Sequence, residues 1–255
     1  MAILKLQPAC RETIWGGQRL RKDYHMQYEG AMLSCHPSAP SMIENGTYAG
    51  KTLQQYLDAE GPQVLGSFGM LFHPFPILIK LIDAAQPLSI QVHPSNFYAI
   101  NREHQYGKTE MWYVVDAEPG AFLYYGFRQQ ITREEFARRI EDNTLPEVLN
   151  AVPVCKGDCF YIPSGTVHAI GKGILIAEVQ QNSDVTYRVY DYGRLSNGKP
   201  RELHIDKSID VITVPAKSVA DSVKSVADLP VNTLNELYVC KYFHILIKSK
   251  FVYHL

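Results

Sequence analysis

No stretch of this sequence reaches the roughly 18 consecutive apolar residues of a membrane span, so a bilayer-crossing helix is not expected. The opening residues, Met1-Ala2-Ile3-Leu4-Lys5-Leu6, lack the apolar run and small-residue cleavage site of a secretion signal. The five cysteines, Cys10, Cys35, Cys155, Cys159 and Cys240, form no CxxC pair and no zinc-finger spacing. Reduced thiols in the cytoplasm are the expectation. An excess of either charge is also missing, since 25 basic residues stand against 26 acidic ones. Without a basic stripe or an acidic tail, neither nucleic acid nor a membrane surface is an expected partner. A small molecule is. Oligomeric state is not readable at this level.

What is present is a succession of short runs rich in β-branched and aromatic residues, broken by Gly, Pro, Asn or Asp. They include Pro76 to Ile82, Leu88 to His93, Glu110 to Val115, Ala121 to Tyr125, Cys159 to Ile162, Ile174 to Val179 and Thr186 to Tyr190. Many alternate with period two, and such a series predicts a mainly β sandwich, jelly roll or barrel. Helices are few. Thr132 and Glu135 have capping-box spacing ahead of Phe136 and Ile140. A second helix is expected after Thr52, carrying Leu53, Tyr56 and Leu57, and a third within Leu203 to Ile212. Ser218 to Asn235, poor in large apolar residues, is the expected linker. The length of 255 residues suits one large domain or one and a half.

Three pieces supply metal-ligand types. In Gln91-Val92-His93-Pro94, residues two apart on a strand face the same side, so Gln91 and His93 can converge on one ion. In Gly107-Lys108-Thr109-Glu110, a carboxylate opens a strong strand. In the run from Gly157 to His168, a strand ends in a Pro163-Ser164-Gly165 turn that fixes where His168 points. Each piece alone is commonplace. Together, imidazole, carboxylate and amide oxygen suit a borderline divalent ion such as zinc and leave a position for water or substrate.

Gly157, Pro163, Gly165 and His168 reproduce the spacing of the second cupin motif, with Lys172 where that pattern ends in Asn. Pro87 to Pro94, Gly107 to Tyr113, Pro163 to Ala169 and Glu178 to Tyr192 are similar to type I mannose-6-phosphate isomerases, in their shorter bacterial form. The similarity is densest from about 76 to 213. Trp15-Gly16-Gly17 resembles the start of that family, whereas Glu29 to Leu33 stands where a Gly-Glu-x-Trp stretch is expected.

The resemblance implies a cupin-type jelly-roll β-barrel, with a catalytic domain over 1–215. A linker and an incomplete second β-barrel would follow over 216–255, on a chain shortened at its C-terminus. It implies one Zn2+ per chain, with Gln91, His93, Glu110 and His168 matching the zinc ligands. Arg188 matches the catalytic arginine, and Lys80 and Lys108 match lysines of a sugar-phosphate pocket. Lys108 is also a candidate for the chemistry. The implied activity is the interconversion of mannose 6-phosphate and fructose 6-phosphate through an enediolate. Two other readings stay open: a metal-holding sugar-binding protein without catalysis, and an iron-dependent cupin dioxygenase using His93, Glu110 and His168. The second leaves Gln91 and the Arg188 segment without a task.

Overall fold

The computed structural model describes residues 3–26, 29–219, 223–230 and 232–248. Phe251 to Leu255, the apolar run at the end of the segment expected as an incomplete second barrel, lies outside the described residues. The chain opens with β1 (Leu6–Gln7), β2 (Ala9–Arg11), β3 (Glu29–Leu33), β4 (Met42–Ile43) and β5 (Ile77–Ala84). Its middle carries β6 (Ile90–Val92), β7 (Glu110–Ala117), β8 (Phe122–Phe127), β9 (Leu149–Pro153), β10 (Asp158–Ile162), β11 (His168–Ala169) and β12 (Ile174–Gln181). Then come β13 (Tyr187–Tyr190), β14 (Leu195–Ser196), β15 (Lys199–Pro200), β16 (Val223–Ser225), β17 (Leu234–Val239) and β18 (His244–Lys248). The helices are α1 (Arg19–Tyr24), α2 (Leu53–Glu60), α3 (Gly66–Gly69), α4 (Asn96–Glu103), α5 (Arg133–Glu141) and α6 (Ile205–Val211).

Seven strands form one sheet in the order β16-β10-β7-β12-β5-β3-β2, and five form another in the order β13-β6-β11-β8-β9. The two sheets share one apolar core. Ile82, Trp112, Val114, Phe160 and Ile176 come to it from the larger sheet, and Leu123, Tyr125 and Val152 from the smaller. Alternation explains the division, because the intervening residues of each strand point the other way. On β6 and β13, Ile90, Val92, Tyr187 and Val189 pack outward, where Phe136 and Ile140 of α5 and partly buried Ile205 and Ile209 of α6 cover them. The expected mainly β, cupin-type architecture is therefore present as two packed sheets with helices on the outer face of the smaller one.

Two local expectations need adjustment. Thr132 does cap α5, accepting from the Glu135 amide at 3.1 Å. Glu135, however, turns forward to Arg139 Nε at 2.9 Å rather than back to the Thr132 amide, because an arginine one turn on offers a charged donor. The reciprocal box occurs instead at α2, between Thr52 and Gln55. Within the stretch expected as a linker, Val223–Ser225 pairs antiparallel with Asp158–Phe160 at the edge of the larger sheet. The last two strands form a hairpin. Tyr238 of that hairpin stacks on Tyr161 at 5.6 Å and donates to the Cys159 carbonyl at 2.9 Å.

Candidate active site

At one end of the space between the sheets, apolar side chains give way to polar ones. Register places them. Glu178 on β12 lies opposite Lys80 on β5 and Trp112 on β7. Two residues along β7, Glu110 occupies the same face. From the other sheet, Gln91 on β6 lies between His168 of β11 and Arg188 of β13. His93 follows directly after β6. Its carbonyl accepts from the Gly165 amide at 2.8 Å, which ties the two histidine segments together. Gly165 has a φ of +83°, and a Cβ there would stand 2.4 Å from Thr213 Oγ1 and 2.9 Å from the Val211 carbonyl. The Pro163-Ser164-Gly165 turn thus depends on glycine.

His93, Glu110 and His168 are all buried, with their candidate ligand atoms within 4.8 Å of one another. Backbone contacts fix both imidazoles. His93 Nδ1 donates to the Val185 carbonyl at 2.9 Å, and His168 Nδ1 to the Thr166 carbonyl at 2.8 Å. Each ring is thereby set to the tautomer whose Nε2 lone pair faces its neighbours. Burial, with the Lys108 ammonium beside it, pushes His93 down to about 3, against the pull of Glu110. Burial likewise lowers His168. Both rings are neutral at ordinary pH.

Neutral imidazole nitrogens therefore face a carboxylate, with His93 Nε2 3.3 Å from Glu110 Oε1 and His168 Nε2 3.8 Å from Oε2. Lone pairs opposed at such distances require a positive charge among them. Here the Lys108 ammonium provides it, donating to Glu110 Oε1 and lying 3.1 Å from His93 Nε2. Burial works to raise the Glu110 pKa, but the Lys108 ammonium outweighs it and holds the carboxyl well below its usual range. Among the described residues, Glu110 Oε2 has no hydrogen-bond partner despite complete burial. Gln91 completes the group with its amide nitrogen 3.4 Å from His168 Nε2, and rotating the amide by half a turn would bring its oxygen to that place. Two imidazole nitrogens, a carboxylate with a spare oxygen and an amide make a donor set that fits a divalent ion.

Above this cluster lies a cavity of about 480 Å³, lined by Lys80, Gln91, Lys108 and Arg188 among others. The structure thus brings all seven expected site residues together, three as a buried floor and four on the wall. Arg188 donates from Nε to Ser89 Oγ at 3.3 Å and from Nη1 to the Glu202 carbonyl at 2.8 Å. Lys80 stands 3.8 Å from Glu178 and 3.7 Å from Glu29. Burial works against its charge, but those carboxylates raise its pKa overall. Burial raises Glu178 in turn, with Glu110 adding to it.

Sequence reasoning passed over Glu29, Ser89 and Arg201, which also line the cavity. Glu29 belongs to the stretch that departs from the expected Gly-Glu-x-Trp. That stretch is an ordinary inner strand, paired with β2 and β5.

Comparison with known proteins places the chain among relatives of similar sequence and fold. The profile for the catalytic domain of type I phosphomannose isomerases matches residues 3–119, so the likeness begins well before the segment from 76 onward. Mannose-6-phosphate isomerase of Streptococcus mutans is 44% identical over 218 residues, covering 83% of this chain and 68% of that protein. ManA of Bacillus subtilis, named a mannose-6-phosphate isomerase, is 43% identical over 252 residues, covering 95% of this chain and 78% of that one. The crystal structure of the Bacillus subtilis mannose 6-phosphate isomerase superposes with a TM-score of 0.83 at 37% identity, over 95% of this chain and 78% of that chain. A putative mannosephosphate isomerase from Archaeoglobus fulgidus gives a TM-score of 0.70 at 26% identity, over 87% and 71%. The chain belongs to the type I phosphomannose isomerase family.

Proposed function

We propose that this protein is a cytoplasmic, zinc-dependent isomerase that interconverts mannose 6-phosphate and fructose 6-phosphate through an enediolate. The observation that carries the reading is the convergence of His93, His168 and Glu110 beneath a cavity whose wall bears Lys80, Lys108 and Arg188. Gln91, His93, Glu110 and His168 would hold one zinc ion, which supplies Lewis-acid polarisation of a substrate oxygen. That all five cysteines are free fits a reducing compartment. Among the described residues no helix is long and apolar enough to cross a membrane.

Aldose–ketose isomerisation moves a proton from C2 to C1 and another between the two oxygens, with no net oxidant or reductant. The residues present meet its demands as follows. The cationic wall binds the anionic substrate and holds it in one register, which removes much of the entropic part of the barrier. Arg188 keeps its proton at any ordinary pH, so it stabilises negative charge on oxygen rather than moving a proton. A dioxygenase would leave this cationic wall without a task. The deciding experiment is a coupled isomerase assay on the purified chain with mannose 6-phosphate, with and without added zinc. Zinc-dependent turnover is expected, and a metal-loaded chain that binds the sugar without turnover would replace this reading with the sugar-binding one.

A further inference from the structure

Beyond the residues already assigned, the rim of the cavity holds a second charged group. Asp191 follows β13 and is nearly buried, with 6% of its side chain exposed. It receives Arg201 as a two-pronged fork, Nε to Oδ2 at 2.7 Å and Nη2 to Oδ1 at 2.6 Å. Arg194 also reaches Asp191, with Nη2 on Oδ1 at 2.5 Å and Nε on the backbone carbonyl at 3.3 Å, while its Nη1 donates to the Pro87 carbonyl. The two arginines flank the hairpin of β14 and β15. At its tip, Asn197 and Gly198 both have positive φ, as a tight two-residue turn requires. Asp191 therefore clasps both arms of the hairpin at their base.

The donors are spent unequally. Arg194 uses all three of its nitrogens on Asp191 and Pro87. Arg201 uses only two, so among the described residues its Nη1 has no partner, and Arg201 lines the cavity. Arg188, on the same wall, likewise keeps Nη2 without a partner. Charge points the same way. Lys80 lies between Glu29 and Glu178, and Lys108 is matched by Glu110. Among the described residues, Asp191 is the one carboxylate in direct contact with Arg194 and Arg201, and Glu202, 82% exposed, offers Arg188 a solvent-screened charge. This surplus shows in Arg188, whose pKa is lowered by burial and then by Arg201 and Arg194.

We infer that Arg201, held in place by Asp191, is a substrate-binding residue that receives the phosphate of the hexose phosphate, together with Arg188, at the hairpin end of the cavity. The inference rests on the hexose-phosphate reading given above. A planar guanidinium locked on one edge by a carboxylate presents its other edge at little entropic cost, which suits a tetrahedral oxyanion.

The test uses the full zinc-loaded chain and three variants, Arg201→Gln, Arg201→Lys and Arg194→Gln. Titration with inorganic phosphate, followed by calorimetry, should show Arg201→Gln weakened about tenfold or more, as expected for losing a charge-assisted contact. Arg201→Lys, which keeps the charge but not the fork, should fall between it and the unaltered chain. Arg194→Gln should lower the melting temperature yet keep phosphate affinity within about twofold, because Arg194 offers nothing to the cavity. In the coupled assay, Arg201→Gln should raise KM for mannose 6-phosphate about tenfold with kcat changed less than about threefold. Unchanged phosphate affinity in Arg201→Gln would overturn the assignment. So would equal losses in Arg194→Gln and Arg201→Gln, which would mark a purely structural clasp. Should the unaltered chain not isomerise mannose 6-phosphate, the proposed function fails while the phosphate titration still judges Arg201. If Arg201→Gln does not fold, Arg201→Lys decides by the same titration.

Discussion

Trp112 and Glu178 face each other across β7 and β12, and the indole Nε1 donates to Glu178 Oε2 at 2.9 Å. Glu178 is buried, its other oxygen has no hydrogen-bond partner among the described residues, and Lys80 lies 3.8 Å away. The indole is thus the direct donor that lets a carboxylate sit between the sheets. Replacing Trp112 by Phe should cost about 1–3 kcal/mol, the penalty for stripping a buried acceptor of its donor. Denaturant unfolding reads the loss, and an unchanged midpoint would show that the carboxylate needs no such donor.

His168→Ala should abolish both bound metal and turnover, because it removes one of only two imidazole donors. Elemental analysis of the purified variant checks this, and full zinc occupancy would refute the ligand assignment. Gln91→Ala should be milder, since a neutral amide is the weakest donor of the four. Treating the unaltered protein with a strong chelator should lower its melting temperature as well as its activity, and zinc should restore both.

Arg188→Ala should leave metal content intact and slow turnover by roughly a hundredfold or more, the scale of losing one preorganised charge-stabilising donor. Unchanged turnover would place Arg188 outside the chemistry.

Asp191 gives a pH signature with a definite sign. Burial works to raise its pKa, but the hydrogen bonds from Arg201 and Arg194 outweigh burial and hold the carboxyl below its usual range. A depressed folded-state pKa contributes stability above the unfolded-state value, and that stability is lost as pH falls through the folded one. Asp191→Asn should therefore be less stable near neutrality and show a flatter loss of stability through the acid range below about pH 4. Melting curves across that range measure it, and parallel acid limbs would contradict the clasp.

The C-terminal hairpin is docked through Tyr238, so Tyr238→Ala should destabilise the chain by about 2 kcal/mol, combining a lost ring stack and a lost hydrogen bond. No change in melting temperature would make the hairpin an appendage.

Much of the candidate site was legible because its residues ride on elements with strong period-two patterns. Gln91, Glu110 and Arg188 sit on strands whose alternation fixes a face, and the turn before His168 announces itself through Pro163 and Gly165. The rest depends on pairing over long distances. Nothing near Glu178 signals that Trp112 will donate a hydrogen bond to it, and Arg201 after Pro200 reads as a solvated hairpin residue until Asp191 folds against it. α4 was missed for a different reason. Asn96, Phe97, Tyr98 and Asn101 are weak helix formers, and the helix is held by its Ser95 cap and by Glu103 accepting from the Tyr187 hydroxyl at 2.7 Å. The serine cap is local to the helix, whereas the contact with Tyr187 spans 84 positions of sequence.

Gln91 and His168 are neighbours in space and 77 positions apart in the chain. Glu110 joins them from the opposite sheet. No fragment of the chain that forms only one sheet contains the full donor set. The cluster therefore comes into being only once distant segments have met, the slow class of event in β-rich folding. Tight ion uptake by these groups would consequently mark a late moment in maturation. A stalled nascent chain lacking β11 would be without the His168 imidazole, however many strands of the larger sheet it had already paired.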